Sequence, residues 1–419
     1  MASGSSGPGR ASDAVAVFAG AAMRGPLQQM LADRGLRLRE WAHLRSHHRP
    51  GGAVSALYRV RCGTGNAGSK TGPDDLTLHI GVTTAAVTAM DTAPGLTRAR
   101  IAGLDLRMWL HPHDPVLASL PWAVDAGAVG QDVFGTGSPA RLSLVAYRPL
   151  RRAVVRAEHA GSTAYLKLLP KPLLPGLRQR HQLLSAAGLP VPPLLPVPPA
   201  HAGDAVALGG LAGISLFRLL ASSTALPAGT AIPAPETLLQ LLDDLPAAAL
   251  ELPHRHAWAE RAGDYACTAA AVLPAEEGRI RELAAGIQEV LVSAPAGPTV
   301  PVHGDFHEGN LLVTGSEVTG LLDVDGLGPG KRADDLACIM GHLSVLAAAH
   351  PHLPHLGETL LRYRLVFEEA VDPASLAART AGVVLTLVAG SRPVRGTCRV
   401  QQARLRLETA RQLLRTAQG

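Results

Sequence analysis

The period of the apolar positions changes along the chain, and the change divides it. Residues 53–62 and 76–84 alternate as two strands around a polar, Gly-rich stretch at 63–75, and residues 104–110 read as a third. Residues 25–44 instead place Leu and Met at helical spacing. Three further alternating runs, 141–148, 153–159 and 164–169, are joined by a Pro-Leu-Arg turn and an Ala-Gly-Ser turn, as short antiparallel strands are. A helix over 176–187 follows, stopped by Gly188 and Pro190. Next come a stiff Pro-rich stretch at 190–199 and a strand or hinge over 206–214, after which Ser215 is placed to cap a helix starting at Leu216. From there the spacing is helical over 236–250, 257–272, 276–292, 336–349, 356–369, 373–389 and 400–416. One interruption stands out: 310–313 and 318–322 read as a hairpin across Thr314-Gly-Ser-Glu317.

These periods predict an α+β chain in four parts. They are a flexible tail (1–14), an N-terminal α+β cap-like region (15–125), a small antiparallel-sheet lobe (126–214) and a mostly helical large lobe (215–419). Three strands, a helix, a fourth strand and a helical half is the order of a protein-kinase small lobe running into its large lobe, a bilobal fold. Composition sets limits on function. With 419 residues and 47% apolar content the chain can fill two or three cores, and wholesale disorder is excluded. The net charge of +5 is spread over single bases, without Lys/Arg runs interleaved with aromatics, so a nucleic-acid surface is not expected. No apolar run reaches the ~18 residues of a membrane span, and the small polar start lacks the basic segment of a signal peptide. No membrane partner and a cytoplasmic location follow as expectations. Cys62, Cys267, Cys338 and Cys398 are too scattered for a disulfide framework or a structural zinc site.

The chemistry concentrates at residues 303–310, His-Gly-Asp-Phe-His-Glu-Gly-Asn, followed by Asp323-Val-Asp325. Asp305 and Asn310 have the D-x-x-x-x-N spacing of a phosphoryl-transfer loop. Asp305 follows a Gly in a loop and is assigned as the base that orients the incoming hydroxyl and accepts its proton. Asn310 and Asp323 offer the hard oxygens that Mg²⁺ takes. Because strand side chains alternate, Asp323 and Asp325 share one face, with Asp323 the direct ligand. Asp325 then either ligates a second ion or hydrogen-bonds. His303 is expected to buttress the loop, with His307 beside it. A zinc set of His303, His307 and Asp323 is set aside because it leaves Asn310 idle. Asp335 is expected both to cap a helix and to hold the loop backbone. Lys167 stands on the third small-lobe strand in a chain that otherwise writes Arg, with Lys70, Lys171 and Lys331 its only companions. It is either a phosphate-binding cation or a strand-edge surface lysine.

HGDFHEGNLLV, VTGLLDVDGLGPG and ADDLA together resemble the aminoglycoside phosphotransferase and choline kinase family of kinase-like small-molecule phosphotransferases. The resemblance covers about residues 140–345. It implies ATP as donor, Mg²⁺ and a small-molecule hydroxyl acceptor, with Asp305 catalytic, Asn310 and Asp323 on metal, and Lys167 on the nucleotide phosphates. Residues 15–125 resemble, more weakly, the cap of maltokinase-like proteins. Two features depart from the pattern. Pro149-Leu-Arg-Arg152 replaces the Gly-rich phosphate loop, and no Asp or Glu lies between Glu158 and Asp204 to pair with Lys167. That second departure keeps open an alternative, a catalytically weak ATP-binding protein of regulatory role. The acceptor is not legible. Asp243-Asp244, Glu276-Glu277 and Glu368-Glu369 would suit a polycation, and Trp41 or Trp258 could stack on a sugar.

Overall fold

A computed structural model of the chain describes residues 8–48, 53–64, 76–86, 95–222, 231–394 and 396–418. Its contacts sort the chain into two units, 1–175 with 194–210, and 176–193 with 211–419. The fold is α+β, with antiparallel sheets in both units.

The first unit contains two five-stranded antiparallel sheets. Helices α1 (Pro8–Ala19) and α2 (Arg24–Ala32) precede β1 (Leu36–His48), β2 (Val54–Thr64), β3 (Leu76–Thr83), β4 (Thr97–Ile101) and β5 (Leu104–Leu110), ordered β1-β2-β3-β5-β4. Phe18, Leu27, Met30 and Leu31 of the helices bury against Tyr58, Val60, Ile80 and Met108 of the sheet. Two expectations change here. The tail expected over 1–14 is helical from Pro8, because Ala14 and Phe18 are buried in this core and hold the helix on it. The helix expected over 25–44 stops at Ala32. Gly35 turns the chain with a φ of 70°, and the rest pairs with β2 as a strand. The stretch at 65–75 lies outside the described residues.

Helices α3 (Leu120–Ala123) and α4 (Ala126–Phe134) lead into β6 (Arg141–Arg148), β7 (Arg152–His159) and β8 (Ser162–Leu168). With β9 (Leu194–Leu195) and β10 (Ala205–Gly209) they form the second sheet, β6-β7-β8-β10-β9, in which β8 is central. A buried polar network joins this sheet to the first. The Trp109 indole N–H donates to the Tyr147 hydroxyl at 3.1 Å, which donates to Asp114 at 2.9 Å. The same carboxylate accepts the backbone N–H groups of Leu150, Val116 and Leu117. Leu150, with a φ of 61°, is in the turn that replaces a Gly-rich loop, so that turn is fixed from beneath.

The second unit opens with most of α5 (Leu174–Ala186) and continues with β11 (Ile214–Ser215), α6 (Leu216–Leu220), α7 (Pro235–Asp243), α8 (Ala262–Val272) and α9 (Glu277–Ser293). After them come β12 (Thr299–Val302), β13 (Leu311–Thr314), β14 (Glu317–Leu321) and β15 (Gly328–Lys331), then α10 (Arg332–Ala349), α11 (Pro354–Ala370), α12 (Pro373–Val388) and α13 (Arg399–Gln418). Ser215 caps α6 through the Arg218 N–H. The division differs from the one the sequence suggests. The cap-like region and the small lobe share a unit, and α5 belongs with the helices, its Leu184 buried in their core beside Leu189 and Val191. Among the described residues, no helix is long and apolar enough to cross a membrane.

Candidate active site

Strand pairing builds the site. β12 runs antiparallel to β15, with Val302 opposite Gly328. The loop that leaves β12 and the turn that enters β15 must therefore lie side by side. They touch through backbone: a Cβ on Gly304 would stand 2.7 Å from the Gly326 carbonyl oxygen, and one on Gly326 would stand 2.7 Å from that of His303. Only two glycines allow this approach, and Gly304 also needs its φ of 80°. Between loop and turn, β13 and β14 form the expected hairpin, closed by the Leu322 N–H donating to the Asn310 carbonyl at 2.8 Å. Asn310 thus stands across from Leu322, one residue before Asp323.

Several side chains hold the loop. Phe306 is fully buried in the helical core, which anchors the loop's centre with ~2–3 kcal/mol of apolar burial. Asp335, in the first turn of α10, accepts the backbone N–H groups of His303 at 2.6 Å and Gly304 at 2.8 Å. Burial pushes its carboxyl up to about 7, against the pull of those two donors. His303 is fully buried. Its Nδ1 accepts the Asp305 N–H at 3.2 Å and its Nε2–H donates to the Leu322 carbonyl at 2.9 Å, so the ring bridges loop and turn. Both nitrogens are spent, which removes His303 as a metal ligand.

Asp305 is partly exposed, as a base that meets substrate must be. The Asn310 amide nitrogen donates to the Asp305 backbone carbonyl at 2.9 Å, which leaves the amide oxygen for a cation. Asp323 and Asp305 both lie near enough to His303 for their charges to act on its ring. Asp323 has a φ of 55° and ψ of 50°, a left-handed conformation that costs an L-residue ~1 kcal/mol or more and that concentrates at functional sites. This overturns one expectation. The strand ends at Leu321 and residues 324–326 form a short 3₁₀ turn, so Asp323 and Asp325 do not share a strand face. The oxygens of Asn310 and Asp323 suit a hard cation such as Mg²⁺. Lys167 belongs to the first unit. It is buried on β8, the central strand, between Val154 of β7 and Val206 of β10, so it is not a strand-edge surface residue.

Sequence reading missed four contributors. Glu308 is buried in the loop, with one carboxylate oxygen 3.7 Å from Nδ1 of His342 on α10. Burial alone would raise its carboxyl, but the hydrogen bond and charge of His342 outweigh that and hold it below the usual range. His342 stacks on His307 with ring centroids 4.2 Å apart and planes 10° from parallel. Near-parallel rings keep their nitrogen lone pairs in separate planes. His307, Glu308 and His342 therefore do not converge on one ion, although their donor atoms lie close together. Arg379 of α12, almost fully buried, pairs with Asp334, which caps α10 through the Lys331 N–H. Arg180 of α5 reaches the Leu327 carbonyl at 2.9 Å. No local motif marks His342, Arg379 and Arg180, since each comes from a helix outside the loop, and Glu308 lies within the loop but has no role in its D-x-x-x-x-N spacing.

The acceptor candidates are mostly committed elsewhere. Asp243 pairs with Arg332, Glu276 with Arg279, Glu277 with Arg281 and Glu368 with Arg364. Trp41 and Trp258 pack against the two units' own cores.

Among solved structures, a thermostable mutant of aminoglycoside phosphotransferase APH(4)-Ia, in ternary complex with AMP-PNP and hygromycin B, is similar at a TM-score of 0.46 and 15% identity. That match covers 69% of this chain and 97% of the other. Spectinomycin phosphotransferase APH(9)-Ia is similar at 0.45 and 13% identity, over 68% of this chain and 97% of the other. A Plasmodium vivax ethanolamine kinase is similar at 0.42 and 12%, over 65% and 82%. No curated protein matches. The model of the APH phosphotransferase enzyme family matches residues 149–378, beginning after the cap-like region and taking in the whole loop and turn. The chain belongs to the phosphotransferase enzyme family.

Proposed function

We propose that the protein transfers the γ-phosphoryl group of ATP to a hydroxyl of a small molecule. The observation that carries the reading is the assembly of Asp305, Asn310 and Asp323 on a loop and a turn locked together by Gly304, Gly326, His303 and Asp335. Phosphoryl transfer asks mainly for alignment and charge compensation, which such rigidity serves. Asp305 orients the acceptor hydroxyl and takes its proton as the new O–P bond forms and the bond to the ADP leaving group breaks. Asn310 and Asp323 would hold Mg²⁺, which when bound offsets the phosphate charge. Lys167 is the candidate cation for the nucleotide phosphates. The carboxylates already paired with arginines speak for a neutral acceptor such as a sugar over a polycation.

The test supplies ATP, Mg²⁺ and a panel of sugars, amino alcohols and aminoglycosides, and measures ADP release. Turnover with at least one acceptor is expected, and Asp305→Asn should reduce it by about 10³-fold. An unchanged rate would remove Asp305 from its role. One observation favours a second reading, a nucleotide binder without turnover. α5 carries no acidic residue and directs Arg180 to the turn. Mg²⁺-dependent ATP binding with no ADP release from any acceptor would support it.

A further inference from the structure

α5 and the segment after it grip the turn of Asp323 at both ends. On the entry side, the Leu321 N–H donates to the Pro190 carbonyl at 2.7 Å. On the exit side, Nε–H of Arg180 donates to the Leu327 carbonyl at 2.9 Å. The guanidinium also donates to the Gly176 carbonyl at 2.9 Å, one helical turn back. Gly176 makes room for it, since a Cβ there would stand 2.9 Å from Nη1. Arg180 is largely buried, at 9% exposure, so its charge needs an answering one. Burial and the neighbouring Arg255 weaken its hold on the proton, and the charge of Asp325 offsets this only in part.

We propose that Arg180 is a positioning residue for the metal-binding turn: by holding the Leu327 carbonyl at its exit, while the Pro190 carbonyl holds the Leu321 N–H at its entry, it fixes the turn from which Asp323 is presented to the divalent cation. The inference rests on the reading of Asn310 and Asp323 as ligands.

Retention of Mn²⁺, followed by the electron paramagnetic resonance signal of the free ion in the presence of a non-hydrolysable ATP analogue, gives a readout independent of turnover. Arg180→Met should weaken retention by about 10-fold or more, the scale on which residues behind metal ligands act. It should lower kcat at saturating ATP by a similar factor and leave KM for ATP within about 3-fold. Arg180→Lys keeps a charge and a donor and should recover most of the loss. If Arg180→Met does not fold, Arg180→Ala, which also removes the donor, replaces it. A folded neutral variant with wild-type Mn²⁺ retention and kcat overturns the positioning role alone. A wild-type protein that retains no Mn²⁺ with nucleotide overturns the reading of the site itself, and this inference with it.

Discussion

Asp323 carries two burdens at one position, a left-handed backbone and a carboxylate. They can be separated, because Asn tolerates the left-handed region as well as Asp does. Asp323→Asn should therefore leave the thermal midpoint within a degree or two and lower turnover by about 10²-fold or more. A large fall in the midpoint would show that the charge, and not the conformation, holds the turn. Around this residue the site was legible to the extent that its chemistry is local. The D-x-x-x-x-N spacing and Asp323 can be read because loop, hairpin and turn follow one another without a break. The backbone conformation of Asp323 was not legible, since Asp-Val-Asp after an apolar run looks like a strand that continues. Arg180, Arg379 and His342 were hidden for another reason. Each looks like an ordinary polar position on a helix, and only packing turns it toward the site.

Among the elements, α10 does most to hold the loop, through the Asp335 contacts in its first turn. The ordinary value of that carboxyl is 3.8 and burial takes it to about 7, so the folded protein binds this proton more tightly than the unfolded chain does. The associated stability is present below about pH 4 and is lost as pH rises through 7. Asp335→Asn has no such titration. The thermal midpoint of the wild type relative to this variant should accordingly fall between about pH 4 and 7, and a constant difference across that window would refute the shift. Elements with a strong period, such as α9, α12 and α13, were legible from spacing alone. The region over 25–44 was misjudged because Leu and Met at helical spacing run on past Gly35, where a single left-handed glycine turns helix into strand.

At the scale of the molecule, the cap-like region is not a detachable module. Asp114 accepts hydrogen bonds from Tyr147 and Leu150 of the small lobe, and Leu57 of β2 is buried in that lobe's core. Asp114→Asn would exchange an acceptor for donors facing an N–H and a hydroxyl. It should cost about 2–3 kcal/mol of stability, read from the midpoint of chemical denaturation. A change below about 0.5 kcal/mol would mean that the network does not join the two sheets. Nothing in the sequence marks this joint, because one Asp in a Pro-rich loop has no periodic signature.

The interleaving of the two units also bears on how the chain leaves the ribosome. β8 is finished at Leu168, but its partner β10 is made only at 205–209, after α5. α5 in turn buries Leu184 among residues made as late as Val383. The first sheet to be synthesised whole is therefore that of the cap-like region. The small-lobe sheet waits, two strands short, while a helix that will pack elsewhere passes through the exit tunnel. During that interval the edge of β8 that will pair with β10 has no partner strand.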